Sequence, residues 1–170
     1  METNSELNLN ESGNLKLPPH SLEAEESALG SMMLSKEAIT SSIEILKIED
    51  FYQDAHRKIY DAILNIYNRN ELAEVITFAE DLKKTDSLEE VGGITYLADL
   101  SSNVTAVSNI KSYCNIIKEK GILRELIDAS DKIISASYSP DAKADLIIEL
   151  AEKSVFDITQ DSTKNGLVNI

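Results

Sequence analysis

The chain has 170 residues, 42% of them hydrophobic but only 5% aromatic and none Trp, enough apolar material for one domain with or without an appendage. Its apolar supply is mostly Leu, Ile and Ala, which suits helix packing better than a β-sandwich, so the expected fold class is all-α. Thirty acidic against sixteen basic side chains give a net charge of −14, which excludes a surface built to grip phosphates through clustered Lys and Arg.

Residues 1–16 are rich in Asn, Glu and Ser, too polar to offset the entropy of ordering them, and read as a flexible tail. Residues 17–107 read as a compact helical head. Pro18 and Pro19 set an extended start, and Ser21 is placed to cap a first helix whose opening turn holds Glu23 and Glu25. Leu22, Leu29, Met32 and Met33 form its apolar face, and Gly30 within that pattern points to close packing by another backbone or to simple tolerance. A second short helix turns Ile39, Ile43 and Leu46 inward.

Between residues 54 and 68 the stripe His56, Ile59, Tyr60, Ile63, Ile66, Tyr67 predicts the central head helix. No second His or Cys supports His56 as a ligand, so it reads as a hydrogen-bonded core side chain, and the two Tyr residues as packing groups. Thr77 and Glu80 have the spacing of a capping box and predict a helix beginning there, with Phe78, Ala79 and Leu82 inward and Lys83 and Lys84 at its negative end. Ser87 and Glu90 repeat that spacing before a Gly92, Gly93 turn and a short helix around Tyr96, Leu97 and Leu100. Residues 101–107 read as a polar, β-branched connector between the head and a hairpin.

Residues 108–159 predict a long helical hairpin. Ile116, Leu123, Ile127, Ser130, Ile134 and Ser137 recur at alternating four- and three-residue steps once Lys120 is allowed as an interruption, while Ile122 and Ile133 fall off that seam. Ser139, Pro140 and Asp141 make the turn, with Asp141 available to cap a shorter return helix. That helix carries Leu146, Ile147, Leu150, Ala151, Ser154 and Ile158 on one face, with Ile148 and Phe156 outside it. One stripe can close the hairpin while the other rests on the head or on another molecule, and periodicity leaves both readings open. Residues 160–170 have the composition of a linker.

Residues 1–107 hold twenty acids and eight bases, a net of −12, against ten and eight in the remainder, a net of −2. An acidic head suits a basic protein partner or plain solubility, and no direct nucleic-acid contact is expected. Cys114 is the only cysteine, which fits a reducing compartment and reads as a small buried side chain. No secretory leader and no run of eighteen apolar residues is present, so a cytoplasmic protein is expected. No G-x-x-x-x-G-K-[ST] loop, zinc spacing or Glu-x-x-His pair is present, so catalytic, cofactor-binding and metal residues are all expected to be none.

Several ordered strings resemble the N-terminal region of bacterial replicative DNA helicases of the DnaB family. They are LPPHSLEAEESALG at 17–30, DFY at 50–52, AHRKIY at 55–60, LEEVGG at 88–93 followed by YL at 96–97, and NI at 109–110, with similarity from about 17 to 160. The tail GLVNI at 166–170 looks like the start of that family's linker to an ATPase motor. Two positions depart from the family pattern: Thr105 and Leu72 stand where Pro is usual, each without the fixed φ that Pro imposes.

The resemblance implies a helical head and hairpin, hairpins that pair, pairs that form a collar on a hexameric ring, and a collar face that receives primase. ATP and Mg are expected only in the absent motor, so this stretch is not itself expected to be an enzyme. Expected partners are self, primase and a helicase loader. The candidate contact residues are Ile116, Leu123, Ile127, Ile134, Leu146, Leu150 and Phe156. A stand-alone helical adaptor and a carboxylate-dependent metalloenzyme are the competing readings.

Overall fold

Ser21, extended at φ −143°, turns its hydroxyl back to accept from the Ala24 amide at 3.3 Å and so starts α1, Leu22–Leu34. In this computed structural model, which describes residues 16–164, α1 is the axis against which most of the other head helices pack. Its Ala28, Leu29 and Met32 are fully buried. Gly30 is small for a reason: a Cβ there would lie 2.1 Å from the Leu100 carbonyl oxygen and 2.5 Å from a Val104 methyl. Of the two readings left open for Gly30, close packing by another backbone holds, and the neighbour is the helix that carries Leu100.

Ser35 ends α1 and caps α2, Lys36–Ile43, through the Ala38 amide. Ile39 is buried as expected, but Ile43 is not: it is the last helical residue, and its neighbour Ser42 takes the inward position against Cys114. A 3₁₀ turn, Ile48–Asp50, then leads to α3, Asp54–Asn68. Its predicted stripe holds, with His56, Ile59, Tyr60, Ile63 and Ile66 buried and Tyr67 half-buried.

The helix α4, Val75–Lys84, starts before the expected capping box. The Phe78 amide already bonds the Glu74 carbonyl, so Thr77 lies inside the helix, and Glu80 pairs instead with Lys83 at 2.7 Å. Phe78, Ala79 and Leu82 face inward as expected. Ser87 opens a single turn rather than a helix, its hydroxyl spent on the Thr85 carbonyl. Gly92 and Gly93 come next at φ 103° and 73°, left-handed values that favour Gly, and deliver the chain into α5, Gly93–Ser102.

A 3₁₀ turn, Val107–Asn109, precedes α6, Ile110–Ser137, whose 28 residues make a rod of about 42 Å. Ile110, Cys114 and Ile117 belong to the head core, so packing does not change at residue 108. The return helix α7 is Ala144–Lys164, longer than expected. Residues 160–164, expected as linker, continue it, because polar side chains serve a solvated helix as well as a linker. Asp141 is not the cap: α7 begins later, where the Lys143 carbonyl accepts from the Ile147 amide. The expected tail lies outside the described residues except for Lys16, and so do residues 165–170. No strand occurs among the described residues.

Candidate functional site

The hairpin is mounted on the head through a buried joint. Lys118 Nζ donates to both carboxylate oxygens of Asp50 at 3.1 Å, with both side chains almost wholly buried. Asp50 also accepts the Lys47 amide at 2.7 Å, and its carbonyl accepts from Arg124, which donates again to the Pro19 carbonyl. Burial pushes the Asp50 carboxyl above its ordinary range, with the Lys47 amide and the Lys118 ammonium pulling the other way. Gly121 gives Asp50 room, since a Cβ would lie 2.8 Å from its Oδ1. A continuous helix pinned by these contacts holds the hairpin at a fixed angle to the head.

A second buried network locks α1, α3 and α5 together. His56 Nδ1 lies 2.5 Å from Glu25 Oε2 and Nε2 lies 2.8 Å from the Tyr96 hydroxyl, while Glu25 Oε1 accepts the Tyr52 amide. His56 is the hydrogen-bonded core side chain expected of it. The role of Glu25 was not legible, because a carboxylate in a first helical turn looks the same whether it faces water or a His 31 residues on.

Beyond the joint the character of the molecule changes. Ala129 is buried and so is Ser162, but none of the residues between them is. All seven candidate contact residues are exposed, from 37% at Leu150 to 60% at Phe156. The α6 seam of Ile116, Leu123, Ile127 and Ile134 therefore looks outward. Ile122 and Ile133, expected off the seam, are the half-buried ones. Leu146 and Leu150, expected on the closing face of α7, lie at its edge, and Ile147, Ala151, Ser154 and Ile158 make up the inner stripe.

A groove of about 310 Å³ marks one side of the hairpin, lined by Glu125, Asp128 and Lys132 of α6 and Ser154, Asp157 and Asp161 of α7. Leu150 precedes Ser154, Asp157 and Asp161 at four- and three-residue steps, so it shares that polar side. Ile148 and Val155, seven residues apart, lie on the other side of α7, as do Leu123, Leu126, Ser130 and Ile134 on α6. The structure thus divides the candidates: Leu123 and Ile134 on an apolar side, Ile127 on the cleft with Arg124 and Asp131, Leu146 and Leu150 toward the polar side, Phe156 on the outer edge and Ile116 near the head. It adds Leu126 and Val155 to the apolar side, both exposed. The signal for Val155 was its heptad step from Ile148, hidden by reading α7 for its inner stripe alone.

A larger cleft of about 690 Å³ lies where head meets hairpin, between Leu17, Pro18, Arg57, Arg124, Ile127 and Asp131. Arg57 donates through Nε to the Phe51 carbonyl, and Arg124 donates to the Pro19 and Asp50 carbonyls. Among the described residues no three His, Cys, Asp or Glu side chains are placed to hold a metal, and no helix is long and apolar enough to cross a membrane.

Residues 17–119 match the family model described as the DnaB-like helicase N terminal domain. The chain is 38% identical over 157 residues to the replicative DNA helicase DnaC of Bacillus subtilis (strain 168), a match covering 92% of this chain and 35% of that relative. It is 34% identical over 155 residues to the replicative DNA helicase DnaB of Geobacillus stearothermophilus, covering 91% and 34% respectively. The chain spans about a third of the length of these curated relatives. Among solved structures, the N-terminal domain of DnaB helicase from Mycobacterium tuberculosis matches with a TM-score of 0.77 and 38% identity, over 83% of this chain and 99% of that one. A DnaB-like replicative helicase whose structure was described with its interactions with primase shares the fold, with a TM-score of 0.69 and 24% identity over 84% of this chain and 32% of that one.

Proposed function

Because the chain belongs to the DnaB-like helicase N-terminal domain family, we propose that it is the assembly and docking module of a cytoplasmic replicative helicase. Its hairpins pair two copies, pairs build the collar of a hexamer, and the collar receives primase, with a loader protein as a further partner. Residues 17–107 act as the head, and the hairpin of α6 and α7, from residue 108 on, as the pairing element. ATP hydrolysis and strand translocation belong to a motor outside these 170 residues.

One observation carries the pairing: Leu123, Leu126, Ile134, Ile148 and Val155 lie on one side of the hairpin, each more than a third exposed. Charge selects the same surface. Residues 1–107 carry −12 in each copy and repel each other, whereas residues 108–170 carry −2, so a second copy approaches at least cost hairpin to hairpin. The primase reading is supported by family membership and by the fold shared with the helicase studied with primase.

Sedimentation velocity of the parent, Leu123→Asp and Ile127→Asp tests the pairing. The parent associates, and each variant raises the dissociation constant at least about tenfold, equivalent to about 1.4 kcal/mol. At concentrations where the parent is monomeric, the unfolding midpoints of all three stay within about 2 °C, since neither side chain is buried in one copy. Identical sedimentation of all three refutes the pairing. Calorimetric titration with primase tests the docking: heat on mixing supports it, and its absence leaves the stand-alone adaptor.

A further inference from the structure

We propose that His56 and Tyr96 form a proton-operated switch between α1 and α5, in which one proton taken up by the buried imidazole turns the Tyr96 hydroxyl away from it and onto Glu26. The observation is a file of four polar groups, Glu25, His56, Tyr96 and Glu26, that starts in the core and ends at water. The His56 side chain is 0% exposed and that of Glu25 2%, while Tyr96 is half-buried and Glu26 exposed.

Counting hydrogens along the file gives two complete states. The Tyr52 amide can only donate, so Glu25 Oε1 accepts, and Oε2 of the same carboxylate takes the hydrogen on His56 Nδ1 at 2.5 Å. On the other side of the ring, Nε2 lies 2.8 Å from the Tyr96 hydroxyl, with the two rings parallel to within 4°. A hydroxyl both donates and accepts, so this partner suits the imidazole in either charge state. With His56 neutral, Nε2 offers a lone pair and Tyr96 spends its one hydrogen there. With His56 protonated by a proton from solvent, Nε2 donates to the Tyr96 oxygen, and the hydroxyl hydrogen is released to Glu26 Oε1, 3.4 Å away. Burial, together with Glu26 and Glu25, pushes the Tyr96 hydroxyl up to about 12, so it keeps that hydrogen throughout the range of about pH 5 to 8 in which histidines titrate. Neither state strands a buried donor or acceptor, which distinguishes a switch from a buried His whose protonation breaks the core.

The charged surroundings come from four directions. Glu25 and Glu26 belong to α1, with Glu23 beside them, and α5 brings Tyr96 and Asp99. From α6 the Arg124 guanidinium interacts with Glu25, and it also meets Arg57 of α3 and Tyr52, on whose ring His20 stacks. The protonated state contains one more hydrogen bond between α5 and α1, and its acceptor is a carboxylate. Acid therefore tightens this contact, at the edge of a cleft of about 370 Å³ lined by Glu23, Glu26, Tyr96 and Asp99.

Nitrogen-15 NMR of His56 in the 170-residue chain, followed from about pH 8 to about pH 5 with circular dichroism as the check on folding, tests this. Expected is an Nε2 that passes from unprotonated to protonated while Nδ1 stays protonated, and a Tyr96 Cζ resonance that moves with the same midpoint. A double-mutant cycle isolates the hydroxyl: Glu26→Gln lowers the His56 midpoint by at least about 0.5 pH unit in the parent and by less than about half as much in Tyr96→Phe. Loss of the Glu26 charge acts through space in both backgrounds, so the difference belongs to the hydrogen that Tyr96 places. Equal shifts in the two backgrounds overturn the proposal. So does an Nε2 that holds one state across this range, a Tyr96 Cζ that stays still while His56 titrates, or a head that unfolds before His56 takes up its proton.

Discussion

Gly30 and Cys114 show how much single positions in the head depend on what lies across from them. A methyl at Gly30 meets a backbone carbonyl at 2.1 Å, an atom that can move only if α5 moves, so Gly30→Ala should cost about 2–3 kcal/mol in urea unfolding. Adding Ala to a helix interior otherwise stabilises it, so a gain in stability would contradict this close crossing of α1 and α5. Cys114 is fully buried with its Sγ 3.4 Å from the Ser42 hydroxyl, and burial pushes its thiol up to about 11 from an ordinary 9.0. The folded state thus holds the proton more tightly than the unfolded one. The stabilisation is complete below pH about 9 and is lost as pH rises through about 11. A disulfide reagent at pH 8 should leave Cys114 unlabelled in the native chain and label it fully in denaturant.

At the scale of elements, the contrast between two ion pairs on the hairpin is informative. Lys118 and Asp50 are sealed between α6 and a 3₁₀ turn, and removing the ammonium strands a buried carboxylate; Lys118→Ala should cost about 3 kcal/mol. Lys47 and Asp161 are open to water, and Lys47→Ala should cost less than about 1 kcal/mol. Denaturant titration of the two variants checks the order, and equal losses would mean the joint is not the firmer attachment. The elements also show which patterns can be read in one dimension. The stripe of α3 was legible because that helix meets one core, so burial and apolarity coincide from His56 to Ile66. The stripe of α7 was legible in part: Ile147, Ala151, Ser154 and Ile158 face α6 as expected, but Leu146 and Leu150 fall at the edge and Ile148, Val155 and Phe156 face away, so apolarity and burial do not coincide there. The spacing of Thr77 and Glu80 misled for another reason: it recurs inside helices, where the backbone amides are already satisfied.

At the scale of the whole molecule, residues 1–107 carry −12 of the net −14, while the hairpin displays uncovered Leu, Ile, Val and Phe on one side and an acidic groove on the other. Each copy brings −14 to an assembly, so pairing works against repulsion that salt can screen. Raising ionic strength from about 0.1 M to about 1 M shortens the Debye length from about 10 Å to about 3 Å, and the dissociation constant of the pair should fall. A rise would point instead to association through ion pairs.

By itself the sequence determined the helical class, the order of head and hairpin, the buried face of α3 and the family, because these rest on composition, local period and strings of neighbouring residues. Tertiary structure alone decided that Glu25 is spent on His56, that Asp50 and Lys118 are sealed together, that α6 roots its first turns in the head core, and which side of the hairpin is left apolar. Those facts depend on which distant residues meet across a helix crossing, and a helical period fixes the face a side chain occupies without saying what, if anything, stands opposite.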